Sequence, residues 1–240
     1  MVYARQFGED TLTFGVSGKL IMNNLVMYDH QTDSLWSQWT GDAFQGEFKG
    51  TKLKLVPSMQ TTWTQWKQLH PDTLLMNKKG AYYYDIYDSY YDGGEAGIIG
   101  ETRQDDRLRT KEFVLGLTLG GEAKAYSFRN LNDHTVVNDS VGGTDVVVTY
   151  DPRAPTATAF SREMGGRILT FRRLELEEDN RFLMIDEETN SQWLMVTGEA
   201  IEGALKGSTL EKVPSHYAFW FAWKDWHPST SVFLRDAHTP

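Results

Sequence analysis

The chain has 240 residues, a formal charge of −9 at pH 7 and no cysteine. The acidic balance argues against a nucleic-acid partner, which usually requires a basic stripe. The missing cysteines exclude disulfides, thiolate nucleophiles and cysteine-bound metal centres within this chain. Since no apolar run approaches the ~20 residues of a membrane-spanning helix, the sequence predicts no membrane span.

The chain repeats itself at an offset of 157 residues. Positions 13–76 align with 170–233 without a gap, and 24 of the 64 pairs are identical. Self-similarity of this strength indicates a tandem duplication. We define unit one as residues 1–78, in which we expect the front half of the repeat to be missing. Unit two, the complete copy, is residues 111–240, and a connector of residues 79–110 joins the units.

Glycines punctuate unit one from its first strand. The glycine-marked segment from Phe14 to Leu20 predicts a bulged strand. Gly41, Gly46 and Gly50 recur at the equivalent positions of unit two. Recurrent glycines at turns predict positive φ or a close approach of the backbone.

The end of each unit predicts one short helix rich in tryptophan. In unit one Thr61 or Thr62 can cap the free N–H groups, Ser215 is the expected cap in unit two, and a proline ends each helix. The aromatic face carries Trp63, Trp66 and His70 in unit one and Trp220, Trp223 and His227 in unit two. We interpret this face as packed on the sheet rather than as a ligand platform, because helical spacing is what core packing requires.

Unit two supplies a longer series of short β-prone runs that glycine or Asp-Asn turns separate. The predicted strands are 113–118, 123–129, 145–150, 157–161, 167–176, 181–186, 193–196 and 210–213. The apolar run 217–223 predicts a buried helix. We therefore predict a mainly β, β-rich α+β fold of two homologous units. Each unit is expected to be a small antiparallel barrel or sandwich closed by one tryptophan-rich helix.

Ser17, Asp29 and His30 are candidate catalytic residues of unit one. His30 has no histidine counterpart in unit two, where Glu187 stands, and a serine, a histidine and an aspartate together would suit hydrolysis. The alternative for Asp29 is an Asx turn, in which the carboxylate accepts hydrogen bonds from its own backbone. The alternative for Ser17 is a bulged strand, since no nucleophile elbow surrounds it.

His134 is a further candidate for catalysis, and Trp36, Gln38 and Asn138 are candidates for ligand binding. Alternation places His134 and Asn138 on one face of a strand; the alternative is a strand that runs into an Asn-Asp-Ser turn. The tyrosine-rich segment 82–95 of the connector lacks EF-hand spacing, and we interpret it as an ordered loop at the junction. No cofactor is evident and no metal site is predicted.

Several motifs of the chain resemble the family named domain of unknown function 3179. They are Thr13–Leu20, Asn24–Asp29, Ser34–Gln38, Thr62–Trp66 and His70–Leu74, and in unit two His134, Val137–Asp139, Val141–Gly143 and Val148–Tyr150. The resemblance covers essentially the whole chain. Two features depart from the family pattern. His30 stands where members usually have arginine. The first unit of the family typically has Cys-Pro-Leu-Cys-Gly-Ser-Ala after its Val-Thr-Tyr strand, whereas unit two of this chain has Asp151–Ala157 there, and the resemblance implies the cysteine pair in the missing front of unit one.

Three functional hypotheses follow. The first is a non-enzymatic binding or structural module, which could take a small-molecule ligand and could be extracytoplasmic. The second rests on the resemblance: a metal or redox protein whose Cys-x-x-Cys site lies in the missing half unit. The third is a hydrolase that uses Ser17, Asp29 and His30.

Overall fold

The computed structural model describes residues 1–77, 87–174 and 182–234. Unit one and the connector contain short strands and two short helices. They are β1 Val2–Tyr3, β2 Gln6–Phe7, β3 Asp10–Thr11, β4 Phe14–Ile21, β5 Asn24–Asp29, β6 Leu35–Ser37, β7 Ala43–Gln45, β8 Leu55–Val56, α1 Trp63–Leu69 and, in the connector, α2 Asp88–Asp92.

Unit two repeats this series and adds a front layer. Its elements are β9 Phe113–Leu119, β10 Glu122–Ser127, α3 Phe128–Asp133, β11 Val136–Val141, β12 Thr144–Asp151, β13 Thr156–Ser161, β14 Glu163–Met164, β15 Arg167–Ile168, β16 Phe171–Leu174, β17 Leu183–Asp186, β18 Gln192–Leu194, β19 Ala200–Glu202, β20 Ser215–Phe219, α4 Trp220–Trp226 and β21 Ser231–Phe233. The protein is mainly β, as predicted. None of its described helices is long and apolar enough to span a membrane.

The repeated sequence forms the same four-stranded antiparallel sheet twice. The strand orders are β4-β5-β6-β7 and β16-β17-β18-β19, and Phe14 pairs with Asp29 as Phe171 pairs with Asp186. The predicted bulge is confirmed as a register shift between Val16 and Leu20. Gly41, Gly46 and Gly50 and their three counterparts in unit two have the predicted positive φ.

Two further sheets are built from the front of unit two. In the first, the front strands β9 and β10 lie between β20 and β21 from the end of the unit, in the order β20-β9-β10-β21, and the second has the order β11-β12-β13. The hairpin β9–β10 lies in the middle of its sheet, antiparallel to β20 and parallel to β21. Helix α4 packs on this sheet, and Trp223 is fully buried. A Cβ atom on Gly116 would come within 2.1 Å of the Trp223 ring, so only glycine fits beneath that indole.

Local chemistry explains where the structure differs from the predicted elements. The strand predicted for 123–129 ends at Ser127, because that side chain accepts a hydrogen bond from the N–H of Asn130 and caps α3. The run 217–223 is half strand and half helix, and Ser215 lies in β20 instead of capping α4. The strand predicted for 210–213 is reduced to a single bridge between Lys212 and Phe160.

The expectation that each unit packs its helix on its own strands holds for α4 and is wrong for α1. Helix α1 begins and ends as predicted, with Thr62 as its cap, but it has no buried residue and Trp63 is 47% exposed. It leans instead on unit two, where Gln65 Nε2 donates to Asp151 Oδ2 at 2.7 Å. The local pattern predicted the helix correctly, and within the described residues a layer that covers such a helix is present in unit two alone.

We expect Gly116→Ala to lower the free energy of unfolding by about 3 kcal/mol, because overpacking against a buried ring forces the sheet and α4 apart. Gly94→Ala is the matched control, since a Cβ atom there meets nothing within 4 Å. Chemical denaturation of the two variants checks the prediction. Equal stabilities would mean that Trp223 is not held against Gly116.

Candidate functional site

A buried carboxylate ends the second strand of each four-stranded sheet. In unit one Asp29 accepts hydrogen bonds from the Thr32 backbone N–H at 2.6 Å, from the Thr32 hydroxyl at 2.9 Å and from Trp36 Nε1 at 2.8 Å. Asp29, Ser34 and Trp36 have no exposed surface. The Ser34 hydroxyl continues the network, since it accepts from the backbone N–H of Phe48 at 3.1 Å.

Unit two reproduces this network almost atom for atom. Asp186 accepts from the Thr189 backbone at 2.6 Å and from Trp193 Nε1 at 2.9 Å. Ser191 Oγ accepts from the backbone N–H of Leu205 at 3.0 Å. Because the same bonds recur at two places in one chain, they belong to the scaffold and not to a site that distinguishes one unit from the other.

Burial raises the pKa of Asp29, but the hydrogen bonds from Trp36 and Thr32 outweigh this effect and hold the pKa below its ordinary value. The carboxylate is therefore ionised at neutral pH and both of its oxygens are occupied. This geometry extends the expected Asx turn, because the carboxylate also fixes a tryptophan from the neighbouring strand.

The structure does not bring Ser17, Asp29 and His30 together as a catalytic set. The Ser17 hydroxyl donates to the carbonyl of Val26 at 2.6 Å. His30 is exposed, and its ring meets the edge of Tyr28 at a centroid distance of 4.9 Å. No hydrogen bond among the described residues joins His30 to either partner of the hypothetical triad.

The remaining candidates also have structural partners. Trp36 is buried on Asp29, and Gln38 contributes its backbone carbonyl to the Tyr3 hydroxyl at 2.9 Å. Asn138 joins two sheets: its Oδ1 accepts from the backbone N–H of Phe171, and its Nδ2 donates to the carbonyl of Phe171. His134 ends α3, and its ring stands edge-on to Phe233.

Asp151 and Ala154 are the unit-two counterparts of the cysteine pair that the resemblance implies for the first unit of the family. The buried Asp151 carboxylate pairs with Arg153 at 3.2 Å and accepts from Gln65 of α1. This carboxylate forms a polar link between the units. Residues 79–86 of the connector, which include the start of its tyrosine-rich segment 82–95, lie outside the described residues. Among those described, no three histidine, aspartate or glutamate side chains converge as a metal site.

The strongest candidate site is a cavity of about 210 Å³ between the units, which we call the first seam. Trp39 of unit one reaches across it and is only 3% exposed, because it joins the apolar core around α4. Its ring lies nearly parallel to Trp226, at 9° and 5.8 Å, and Trp39 Nε1 donates to His227 Nε2 at 3.3 Å. The Tyr3 hydroxyl, which bonds to the carbonyls of residues 38 and 39, holds the loop that presents this indole.

Two imidazoles line the first seam beside Trp39. Burial lowers the pKa of His216 to about 4, with the positive N-terminus, His227 and Lys52 adding to the effect. Burial also lowers the pKa of His227, so both rings are neutral at pH 7. His216 Nδ1 is buried, and no described residue bonds to it. Since a buried polar atom without a partner is costly, this nitrogen marks a place for a ligand or a water molecule.

A second cavity between the units, which we call the second seam, lies between the helix of unit one and a loop of unit two. Residues Gln65 and Leu69 of α1 face Val196 and Thr197 of unit two across a cavity of about 300 Å³. By the 157-residue offset, Leu69 corresponds to Trp226 and Val196 corresponds to Trp39. Each unit therefore offers the loop after its third sheet strand to the helix of the other, and at the first seam this contact is a pair of stacked indoles.

Sequence reasoning missed Trp39 and His216 as site residues. The available signal was divergence between the copies: Trp39 aligns with Val196, and His216 aligns with Met59, beside positions that are identical in both units. Positions that are identical in the two copies form the shared scaffold. Trp39 and His216 of the first seam occupy positions at which the copies differ.

Comparison with protein families gives two overlapping matches to the family described as a protein of unknown function (DUF3179), over residues 1–120 and 99–239. Two matches of this kind are consistent with a tandem-repeat member. Neither a curated protein nor a solved structure matches the chain.

We expect Asp29→Ala and Asp186→Ala each to lower the free energy of unfolding by about 3 kcal/mol, because each strands a buried indole N–H and a backbone N–H. His30→Ala, which alters an exposed side chain beside Asp29, should change it by less than about 0.5 kcal/mol. Denaturant titration measures all three. A severe effect in one unit with none in the other would contradict the equivalence of the networks.

We also expect stability to fall as the pH drops from about 6.5 to about 4. The pKa of His216 is lower in the folded state than in the unfolded state, so the unfolded chain binds more protons across this interval. His216→Phe should make the slope shallower but not flat, because His227 acts in the same direction. Thermal melts at a series of pH values test this, with His30→Phe as the exposed control; parallel curves for wild type and His216→Phe would refute it.

Proposed function

We propose that this chain, which belongs to the DUF3179 family, is a non-enzymatic binding module whose ligand site is the first seam. The observation that carries the proposal is the buried, unbonded His216 Nδ1 in a cavity walled by Trp39. Enclosed apolar walls with a few convergent polar atoms are the usual form of a small-molecule site.

The chemistry of the walls selects the ligand class. Both imidazoles are neutral at pH 7, and burial, with Asp42 adding to it, raises the pKa of Tyr3 above its ordinary value. The cavity interior therefore presents ring faces and neutral hydrogen-bonding atoms, while the charge of Lys52 is paired with Asp42 at 3.6 Å. An uncharged planar molecule, or the end of a longer ligand, suits these walls. The volume of about 210 Å³ restricts its size.

The bonding of the candidate catalytic residues favours binding over hydrolysis. Both oxygens of Asp29 serve Thr32 and Trp36, and the Ser17 hydroxyl serves a strand carbonyl. Catalysis would require the serine to pass its proton to a histidine that the aspartate orients. The carboxylate of Asp29 already accepts buried hydrogen bonds, and no described hydrogen bond joins Ser17 to an imidazole. We keep the hydrolase as a hypothesis that Ser17→Ala would eliminate if the variant retained all turnover.

A ligand-observed NMR screen with neutral fragments of about 8–15 heavy atoms tests the binding proposal. We expect planar fragments that carry one hydrogen-bonding group to bind. His216→Phe, which keeps the ring and removes the nitrogens, should weaken binding at least about tenfold, equivalent to the loss of one buried hydrogen bond.

His30→Phe is the control and should leave fragment binding unchanged, since His30 lies on the exposed side of unit one. Circular dichroism of both variants separates loss of binding from loss of fold. Fragments that bind wild type and His216→Phe equally would place the site elsewhere, and the proposal would fail.

A further inference from the structure

The two tryptophan helices are locally the same structure in different surroundings. The Trp66 ring lies tilted against His70 at a centroid distance of 4.2 Å, and its Nε1 donates to Thr73 Oγ1 at 2.8 Å. The Trp223 ring lies tilted against His227 at 4.1 Å, and its Nε1 donates to Thr230 Oγ1 at 2.9 Å. The end of unit one therefore adopts the conformation that unit two uses, independently of what covers the helix.

Unit two shows what covers such a helix. The hairpin β9–β10 inserts between β20 and β21, so that 215–219 pair antiparallel with 113–117 and 231–233 pair parallel with 124–126. Gly116 of the hairpin lies beneath Trp223. A segment just before the hairpin completes the cover, because Glu101 pairs with the buried Lys224 at 2.9 Å.

Unit one presents the equivalent surface, and no hairpin from the part of the chain that the structure describes covers it. We call the surface formed by residues 58–62, α1 and residues 74–76 the receiving face. Its two flanking segments are the counterparts of β20 and β21, and neither is in a strand. Leu74, Leu75 and Met76 are 94%, 72% and 78% exposed, beside the half-exposed Trp63. Lys67, the counterpart of Lys224, is also exposed.

We propose that the receiving face binds a β-hairpin of the 113–127 type, supplied by a front half unit of the same family. The hairpin would pair antiparallel with 58–62 and parallel with 74–76, a form of β-augmentation. It would place a glycine beneath Trp66 and carry an acidic residue upstream for Lys67. The main chain supplies the affinity, and the glycine and the acid supply the specificity.

A second copy of this chain is a poorer occupant. Its hairpin is already held between its own β20 and β21, and releasing it would expose Trp220 and Trp223, both fully buried. Moving the hairpin from α4 to the α1 helix of another copy would expose the aromatic face of α4 in order to cover that of α1. A half unit whose hairpin is not otherwise engaged bears no such cost.

The experiment adds such a half unit to the full chain. Residues 99–157 are fused in frame before residue 1, which the 157-residue offset aligns with position 158. We expect amide exchange at 58–62 and 74–76 to slow by at least about 100-fold, since paired strands exchange only on opening. The quenching of Trp63 fluorescence by iodide should decrease. The amide exchange rates of α4 should stay as in the parent chain, which shows that unit two is intact.

The matched control carries Gly116→Leu in the added segment alone. It should leave 74–76 unprotected, because the leucine would collide with Trp66. Protection in the control equal to that in the fusion, or no protection in either with α4 intact, overturns the proposal. Concentration-dependent protection of 74–76 in the unmodified chain would instead identify a second copy as the occupant, and would also overturn it.

A test on the unmodified chain does not depend on the fusion folding. A backbone-cyclised peptide of residues 112–128 is titrated against the full chain while tryptophan fluorescence is followed. We expect a saturable blue shift, and at least about tenfold weaker binding of the Gly116→Leu peptide. Indistinguishable peptides would refute the role of the glycine. Both tests report on α1, so they stand or fall separately from ligand binding at the first seam.

Discussion

The buried hydrogen bond between an aspartate and a tryptophan organises each unit of this protein. Asp29 and Asp186 each hold the indole of the neighbouring strand and the backbone of their own turn. An ionised carboxylate without exposed surface is tolerated only when its oxygens are saturated with donors. The requirement fixes the threonine, the serine and the tryptophan together, and this accounts for their recurrence at the same spacing in both copies.

Around these shared centres the two units have diverged at their contacts. Trp39 completes the aromatic cluster of α4, whereas its counterpart Val196 meets the more polar face of α1. Gln65 bonds to Asp151 where unit two carries alanine at the equivalent helical position. One seam is therefore stabilised by stacked rings and the other by a polar link, although a single ancestral contact underlies both.

The sequence predicted the features that depend on neighbouring residues. The bounds of α1 followed from a cap and a proline, and the bulge after Val16 followed from its glycines. Sequence-based prediction failed where contacts with residues distant along the chain determine the local structure. The run 217–223 divides into strand and helix because Tyr217 and its neighbours pair with β9, a partner 100 residues away that no local pattern contains. The exposure of α1 depends likewise on a covering layer and not on its own sequence.

The candidate site was least predictable because its parts come from both units. Trp39, His216 and His227 are separated along the chain by up to 188 positions. Trp39 and His216 form no motif with their sequence neighbours, and the helical spacing of His227 indicated core packing instead of a site. A site of this kind becomes visible only when the seam is assembled. The residues that looked chemical in sequence, Ser17, Asp29 and His30, lie instead in or beside a bulged strand and a turn.

The position of Trp39 has a consequence for how the protein unfolds. An indole that belongs to one repeat by sequence and to the core of the other by packing makes the two thermodynamically inseparable. Melting α4 would expose Trp39, and unravelling the loop after Ser37 would open a void beside Trp223 and Trp226. We therefore expect a chain built by duplication to unfold as one cooperative block, in which a change to either copy alters the stability of its neighbour.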